Sequence, residues 1–152
     1  MKVEVIQIDK ELDEHGMLYV HEENRSVRNL KQYIEEDRYR MVAIEGEKNG
    51  ATYQIGSDQI RFIETTGEDT LMIHVESESY TTKARLYELE CILPGNFTRI
   101  SRSVIVNLEW IRSYKPLLNG LMEAICDNGE KVDISRRYLT GLKDRLREEM
   151  RR

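Results

Sequence analysis

Apolar and polar residues alternate in short bursts along most of this chain, and each burst ends at a turn residue. "MVAIEG" (41–46), "ATYQIG" (51–56), "QIRFIET" (59–65) and "TLMIHVE" (70–76) are separated by Gly, Asn, Asp and Ser. Runs of this length, rich in β-branched and aromatic residues, predict strands. "SYTTK" (79–83) is the hairpin partner of the last of them, and "FTRI" (97–100), "WIRSYKPL" (110–117), "LMEAICD" (121–127) and "KVDIS" (131–135) continue the series. Asn119-Gly120 and Asn128-Gly129 predict two-residue hairpin turns, because both residue types tolerate positive φ. Two segments change to a helical period. "RLYELECIL" (85–93) puts Leu86, Leu89 and Leu93 on one face before Pro94-Gly95 stops it, and a closing helix from about 136 to 150 carries Leu139, Leu142 and Leu146.

The first 40 residues follow another plan. "KVEVIQI" (2–8) and "MLYVHE" (17–22) predict two strands joined by the acidic loop "DKELDEHG". "RSVRNLKQYIEED" (25–37) predicts a helix, with Ser26 as the cap and Val27, Leu30, Tyr33 and Ile34 as its apolar stripe. A β-β-α unit of this size buries too little to stand alone. The fold class is therefore mostly β with short helices (α+β), with a small N-terminal β-β-α extension over 1–44 and a body over 45–152.

Composition narrows the function. The 152 residues carry a net charge of −5, unevenly spread: −5 over 1–47, −4 over 48–95 and +4 over 96–152. Binding to phosphates depends on a local field, not on the total, so the basic last third keeps nucleic acid open. No apolar run approaches the roughly 18 residues of a membrane helix, and the N-terminus lacks the pattern of a signal peptide. Cys91 and Cys126 stand far apart without ligand spacing and read as buried, reduced thiols, which suits the cytoplasm. No glycine-rich loop precedes a helix, and no Cys/His set has zinc spacing. On its strand His74 shares the face of Met72, opposite Leu71, Ile73 and Val75, and reads as a solvated histidine. No catalytic residue, metal or cofactor is expected.

Three loops at strand ends are richer in chemistry: "TTGED" (65–69), "RISRS" (99–103) and "SRRY" (135–138). Arginine grips phosphate or a guanine edge bidentately, and short hydroxyl side chains donate to phosphate oxygens. The candidate DNA contacts are Thr66, Thr70, Lys83, Arg99, Ser101, Arg102, Ser103, Ser135, Arg136 and Arg137. Arg99 and Arg102 have no carboxylate near them in sequence, which reads as charge kept free for another molecule.

The ordered set "LYELECIL", "F-x-R-I-x-R-S-x-I-V-N" (97–107), "I-x-S", "L-x-N-G" and "I-S-R-R-Y" (134–138), with "IRFIETTGEDTLMIHV" upstream, resembles the LytTR DNA-binding domain of bacterial transcription regulators. The likeness runs over about 45–148, roughly two-thirds of the chain. It implies elongated, stacked β-sheets and loops, not a recognition helix, entering successive major grooves of double-stranded DNA. The family's contact positions fall on about Thr70 in the first loop, on Arg102 and on Arg137. Many members carry histidine where this chain has Ser101, and the first loop here is acidic, with Glu68 and Asp69. Asn107 matches the motif as a structural cap of the turn before Trp110. The resemblance also suggests a stand-alone member without a receiver domain, and such members often have a membrane-associated regulatory partner. The extension is too acidic to face DNA and is expected to form a homodimer contact. The alternative is a protein-interaction module on the same scaffold, which a dispersed charge pattern would favour over one positive face.

Overall fold

The computed structural model describes residues 2–36, 41–67 and 69–150, and divides the chain into two compact units, Met1–Glu36 and Asp37–Arg152. In the smaller unit one helix forms, α1 (Arg25–Glu35). Its cap is Asn24 and not Ser26: the Asn24 carboxamide oxygen accepts from the Val27 amide at 3.1 Å. The two strands expected at 2–8 and 17–22 do not form; both segments lack regular structure and their side chains are exposed. Their β-branched composition favours extended chain, but an isolated pair of short strands is marginal in water without a further strand or a packed face.

The larger unit holds ten strands: β1 (Ala43–Lys48), β2 (Ala51–Gly56), β3 (Phe62–Thr65), β4 (Leu71–His74), β5 (Ser79–Thr82), β6 (Phe97–Arg99), β7 (Val104–Asn107), β8 (Ile111–Pro116), β9 (Met122–Cys126) and β10 (Lys131–Ile134). Helix α2 (Leu86–Ile92) lies between β5 and β6, and α3 (Arg136–Met150) follows β10. The division after Glu36 leaves β1 wholly within this unit. Seven strands make one antiparallel sheet in the order β2-β1-β5-β4-β3-β7-β6, and β10-β9-β8 make a second. The mostly β, α+β class is borne out.

Around β3 and β7 the large sheet is covered on both faces, while its β2–β1 end is exposed on at least one. Ile63 and Ile105 pair across β3 and β7 and join Leu71, Ile73, Leu86, Leu89 and Phe97 in one cluster under α2. Their neighbours Phe62 and Val106, one residue along and so on the opposite face, join Ile100, Ala124, Cys126, Val132, Ile134 and Leu142 beneath the small sheet and α3. This explains β7, which the residue pattern did not mark as a strand. "VIVN" shows no alternation because both of its faces are buried.

The same burial corrects two expectations. His74 does share the face opposite Leu71 and Ile73, but that face is roofed by the second sheet, so His74 is only 8% exposed. It stacks on Phe62 with centroids 4.1 Å apart, and its ring nitrogens meet Glu64 Oε1 at 2.8 Å and Ser79 Oγ at 3.1 Å. Of the two cysteines only Cys126 is buried; Cys91 is exposed on α2. Burial pushes the Cys126 thiol up to about 11, so it stays protonated and behaves as an apolar side chain.

Both Asn-Gly hairpins form, each with one more loop residue than expected. Leu117 N–H donates to Leu121 O across the loop 118–120, and Cys126 N–H donates to Glu130 O across 127–129. Asn49-Gly50 makes a two-residue turn, at φ 52° and 78° between the paired Lys48 and Ala51.

Two buried polar groups brace the body: Asn107 ties together the connections around β7, and Arg61 links the large sheet to the β9–β10 turn. Asn107, fully buried, accepts from the Glu109 amide at 3.1 Å and from Asn96 Nδ2 at 2.8 Å, and donates to Ile60 O at 3.0 Å. This confirms it as a structural cap. Arg61, 5% exposed, makes a two-pronged bond to Asp127 at 3.1 and 3.0 Å and stacks 3.8 Å over the Trp110 ring. The hydrogen bond from Arg61 holds the Asp127 carboxyl below the usual aspartate range. A depressed folded-state pKa stabilises the fold above the unfolded aspartate value of about 3.9, and that stability is lost as pH falls through the folded value. The thermal midpoint is therefore expected to drop in acid below about pH 4, and Asp127→Asn to flatten that part of the profile, as read by calorimetry across pH.

Candidate nucleic-acid interface

β3 runs antiparallel to both β4 and β7, so the end of β3 meets the start of β4 and the start of β7 at one edge of the molecule. Backbone hydrogen bonds then tie the three basic or polar loops into a row. Thr65 N–H donates to Ser103 O at 2.9 Å, joining the first loop to the second. Ser135 N–H donates to Ile100 O at 2.9 Å, joining the second to the start of α3. The cross-strand pair Leu71–Thr82 brings Lys83 to the same end. The candidates scattered between residues 66 and 137 thus belong to one surface, and Thr66, Lys83, Arg102, Ser103, Arg136 and Arg137 are exposed on it.

The side chains divide into those that shape the loops and those left to reach outward. Thr66 closes the first loop, with its amide at 3.0 Å and its hydroxyl at 3.3 Å from Thr70 O, and Thr70 is half-buried. Ser101 Oγ accepts from the Ser103 amide at 3.1 Å, a local turn that fixes the second loop. Ser135 holds the residue before α3 and is half-buried. By contrast, the guanidinium groups of Arg102 and Arg137 make no hydrogen bond or ion pair among the described residues. Arg136 lies against the β8–β9 turn: a Cβ on Gly120, itself at φ 71°, would sit 3.2 Å from Arg136 Nε.

Arg99 departs from the reading of a free charge. Its Nη1 lies 3.4 Å from Glu90 Oε1 on α2, its Nε donates to Ser101 O at 2.9 Å, and its Nη2 donates to Arg102 O. All three ends of the guanidinium are spent inside the protein, two of them on carbonyls of the second loop. Glu90 is nine positions away in sequence, and only the packing of α2 beside β6 brings it near.

Two other groups emerge from the fold alone. Arg85, exposed just before α2, adds a cation beside Lys83 and meets Asp69 of the first loop at 3.3 Å. Its one sequence signal is its place two residues after Lys83. Glu90 has none. Glu68 lies outside the described residues. Beside the row is a recess of about 480 Å³ lined by Glu64, Glu123 and Asp133, by Lys131, which pairs with Glu123 at 3.5 Å, and by Ser101 and Ser135.

The Arg99 anchor has a test whose sign is diagnostic. Glu90→Gln removes a negative charge near the surface, which by charge alone tightens binding to any polyanion. If Arg99 works by holding the second loop, the same change weakens DNA binding, by up to about five-fold for a partly exposed pair worth ~0.2–1 kcal/mol. Fluorescence anisotropy with wild-type and variant protein decides between the two directions.

Several known proteins are similar to this chain. An uncharacterized HTH-type transcriptional regulator of Staphylococcus aureus (strain NCTC 8325 / PS 47) is 41% identical over 70 residues, 46% of this chain and 48% of that protein. A similarly described regulator of strain MRSA252 is 40% identical, with the same shares covered. The chain thus matches about half the length of these relatives. Among solved structures, the LytTr DNA-binding domain of a Bacillus cereus protein assigned as a methyl-accepting/DNA response regulator superposes with a TM-score of 0.64 at 25% identity, covering 68% of this chain and 95% of that domain. Residues 50–147, which contain the whole row of loops, match the LytTr DNA-binding domain, and the chain belongs to that family.

Proposed function

We propose that this chain is a sequence-specific transcription regulator that reads the major groove of double-stranded DNA with its loops. The observation that carries this reading is the pair of backbone hydrogen bonds, Thr65 to Ser103 and Ser135 to Ile100, which aligns three loops and leaves Arg102 and Arg137 outward and uncommitted. Arginines already paired with carboxylates would have to break those pairs before meeting a phosphate or a base. Membership in a DNA-binding domain family and the regulatory description of the Staphylococcus aureus relatives support the same reading.

Loops suit this reader better than a helix pair. Helices α2 and α3 are separated by five strands, so no two successive helices of the body form a helix-turn-helix. Arg102 and Arg137 sit on different elements of one edge, so each is suited to a separate stretch of groove. A regulator of this kind works in the bacterial cytoplasm, and no helix among the described residues is long and apolar enough to cross a membrane.

Selection from a pool of random duplexes with the purified full chain tests the proposal. Enrichment of one motif is expected. Retention of DNA without any enriched motif would reduce the reading to non-specific binding, and no retention would leave the protein-interaction module as the better account.

A further inference from the structure

Helix α1 is amphipathic, yet none of its residues is buried. Val27, Leu30 and Ile34 recur at i, i+3 and i+7 and so form one stripe, with Ile34 still 43% exposed. The charges on this helix run against its own dipole. Arg25, Arg28 and Lys31 fill the N-terminal half, while Glu35 and the C-cap Glu36 close the C-terminal end; the first turn has no acid and the last turn no base. A helix end favours the opposite charge, so this order opposes the dipole, offset in part by the exposed Lys31–Glu35 pair at 3.7 Å.

The order becomes favourable beside an antiparallel copy. Arg28, Lys31 and Glu35, at i, i+3 and i+7, line one flank of the stripe. In an antiparallel pair the same flank of each helix faces its counterpart, so the basic half of one copy meets the acidic end of the other, and the two dipoles oppose. In a parallel pair opposite flanks meet, so the flank of Arg28 and Glu35 would face the partner's uncharged flank of Ser26 and Tyr33 and this complementarity would be lost. We propose that α1 is a self-association surface, on which two copies of this chain pair antiparallel about a two-fold axis near Gln32. Leu30 of each copy then packs on Ile34 of the other, and Arg28 of each lies near Glu35 of the other. The contact is isologous, the ordinary form of a homodimer interface.

The size of the surface fixes its strength. A standard interface uses about 20–30 residues a side, and one face of an 11-residue helix supplies fewer than half of that. The pairing is therefore weak in free solution. It gains force when two copies are already held close together, for example on neighbouring DNA sites, where a weak contact acts at high effective concentration.

The test uses the full chain and needs no DNA, so its outcome is separate from that of the DNA-binding proposal. The exposed thiol is first removed by Cys91→Ser, since Cys126 is buried. Lys31→Cys and Ser26→Cys are then treated with a short bifunctional thiol reagent at high protein concentration. Two copies of position 31 lie within roughly 3 Å along the helix axis in the proposed pair, and two copies of position 26 about 18 Å apart, at 1.5 Å rise per residue. Lys31→Cys is expected to give a linked dimer and Ser26→Cys almost none. In the Lys31→Cys background, Arg28→Glu and Glu35→Lys should each lower the linked yield several-fold, and the double exchange should restore it. Equal linking at positions 26 and 31, no linking at 31, or no recovery in the double exchange would overturn the proposal.

Discussion

Arg102→Ala is expected to cost roughly 1–3 kcal/mol of specific DNA affinity, about 5- to 150-fold, if its guanidinium grips a base edge with two bonds. The expectation rests on position and partners together. Arg102 stands at the tip of the second loop, exposed, with its guanidinium uncommitted among the described residues. Its backbone is nonetheless held, because Arg99 donates to the Arg102 carbonyl and Ser101 Oγ accepts from the Ser103 amide. A free head on a fixed stem reaches a base without paying to order the loop at the moment of binding. The fold should hardly register the change, since an exposed substitution of this kind shifts stability by about 0.5 kcal/mol or less. Binding to selected and to unrelated duplexes separates two roles. Loss confined to the selected duplex marks a base contact, whereas equal loss on both marks a phosphate contact. Unchanged affinity on both would remove Arg102 from the interface.

The edge that carries Arg102 was legible in the sequence to different degrees, for physical reasons. Strands with one wet face, such as β1 and β10, announced themselves by alternation, and the leucine rows of α2 and α3 announced their buried faces. β7 did not, because burial on both sides erases alternation. His74 was placed on the right face but given the wrong environment. Alternation tells which face a residue takes, not whether a second sheet covers that face. The extension failed in the opposite direction: residues 2–8 have the composition of a strand, and a strand also needs a neighbour.

The candidate site divides along the same line. Arg102 and Arg137 were legible because nothing local competes for them. Arg99 seemed equally free in sequence, and its role as an anchor depends on Glu90, which only the α2–β6 packing brings within 3.4 Å. That the three loops share a face was implied by the family resemblance, but the contacts that align them, hydrogen bonds between segments 38 and 35 residues apart, Thr65 to Ser103 and Ile100 to Ser135, had no signal in the sequence. The recess beside them is likewise a product of the second sheet, which brings Glu123, Lys131 and Asp133 opposite Glu64. Charge on this surface is therefore not uniform. Uncommitted arginines stand on the second and third loops, while the first loop carries Asp69, paired with Arg85.

That local concentration of charge, on a chain whose net charge is −5, is the central claim, and salt tests it most directly. Five cations stand on or beside the loops: Lys83, Arg102, Arg136 and Arg137, and Arg85, which exchanges its exposed pair with Asp69 for a phosphate on binding. If about five of them neutralise phosphates, each releases condensed counterions, and the logarithm of the binding constant falls against the logarithm of salt with a slope of roughly −4 to −5 per protomer. A four-fold rise in salt then weakens binding by about 300- to 1,000-fold. The measurement is an anisotropy titration of a labelled duplex at several salt concentrations with the full chain. A slope in that range is the predicted result; a slope near zero would contradict a DNA-binding surface on these loops.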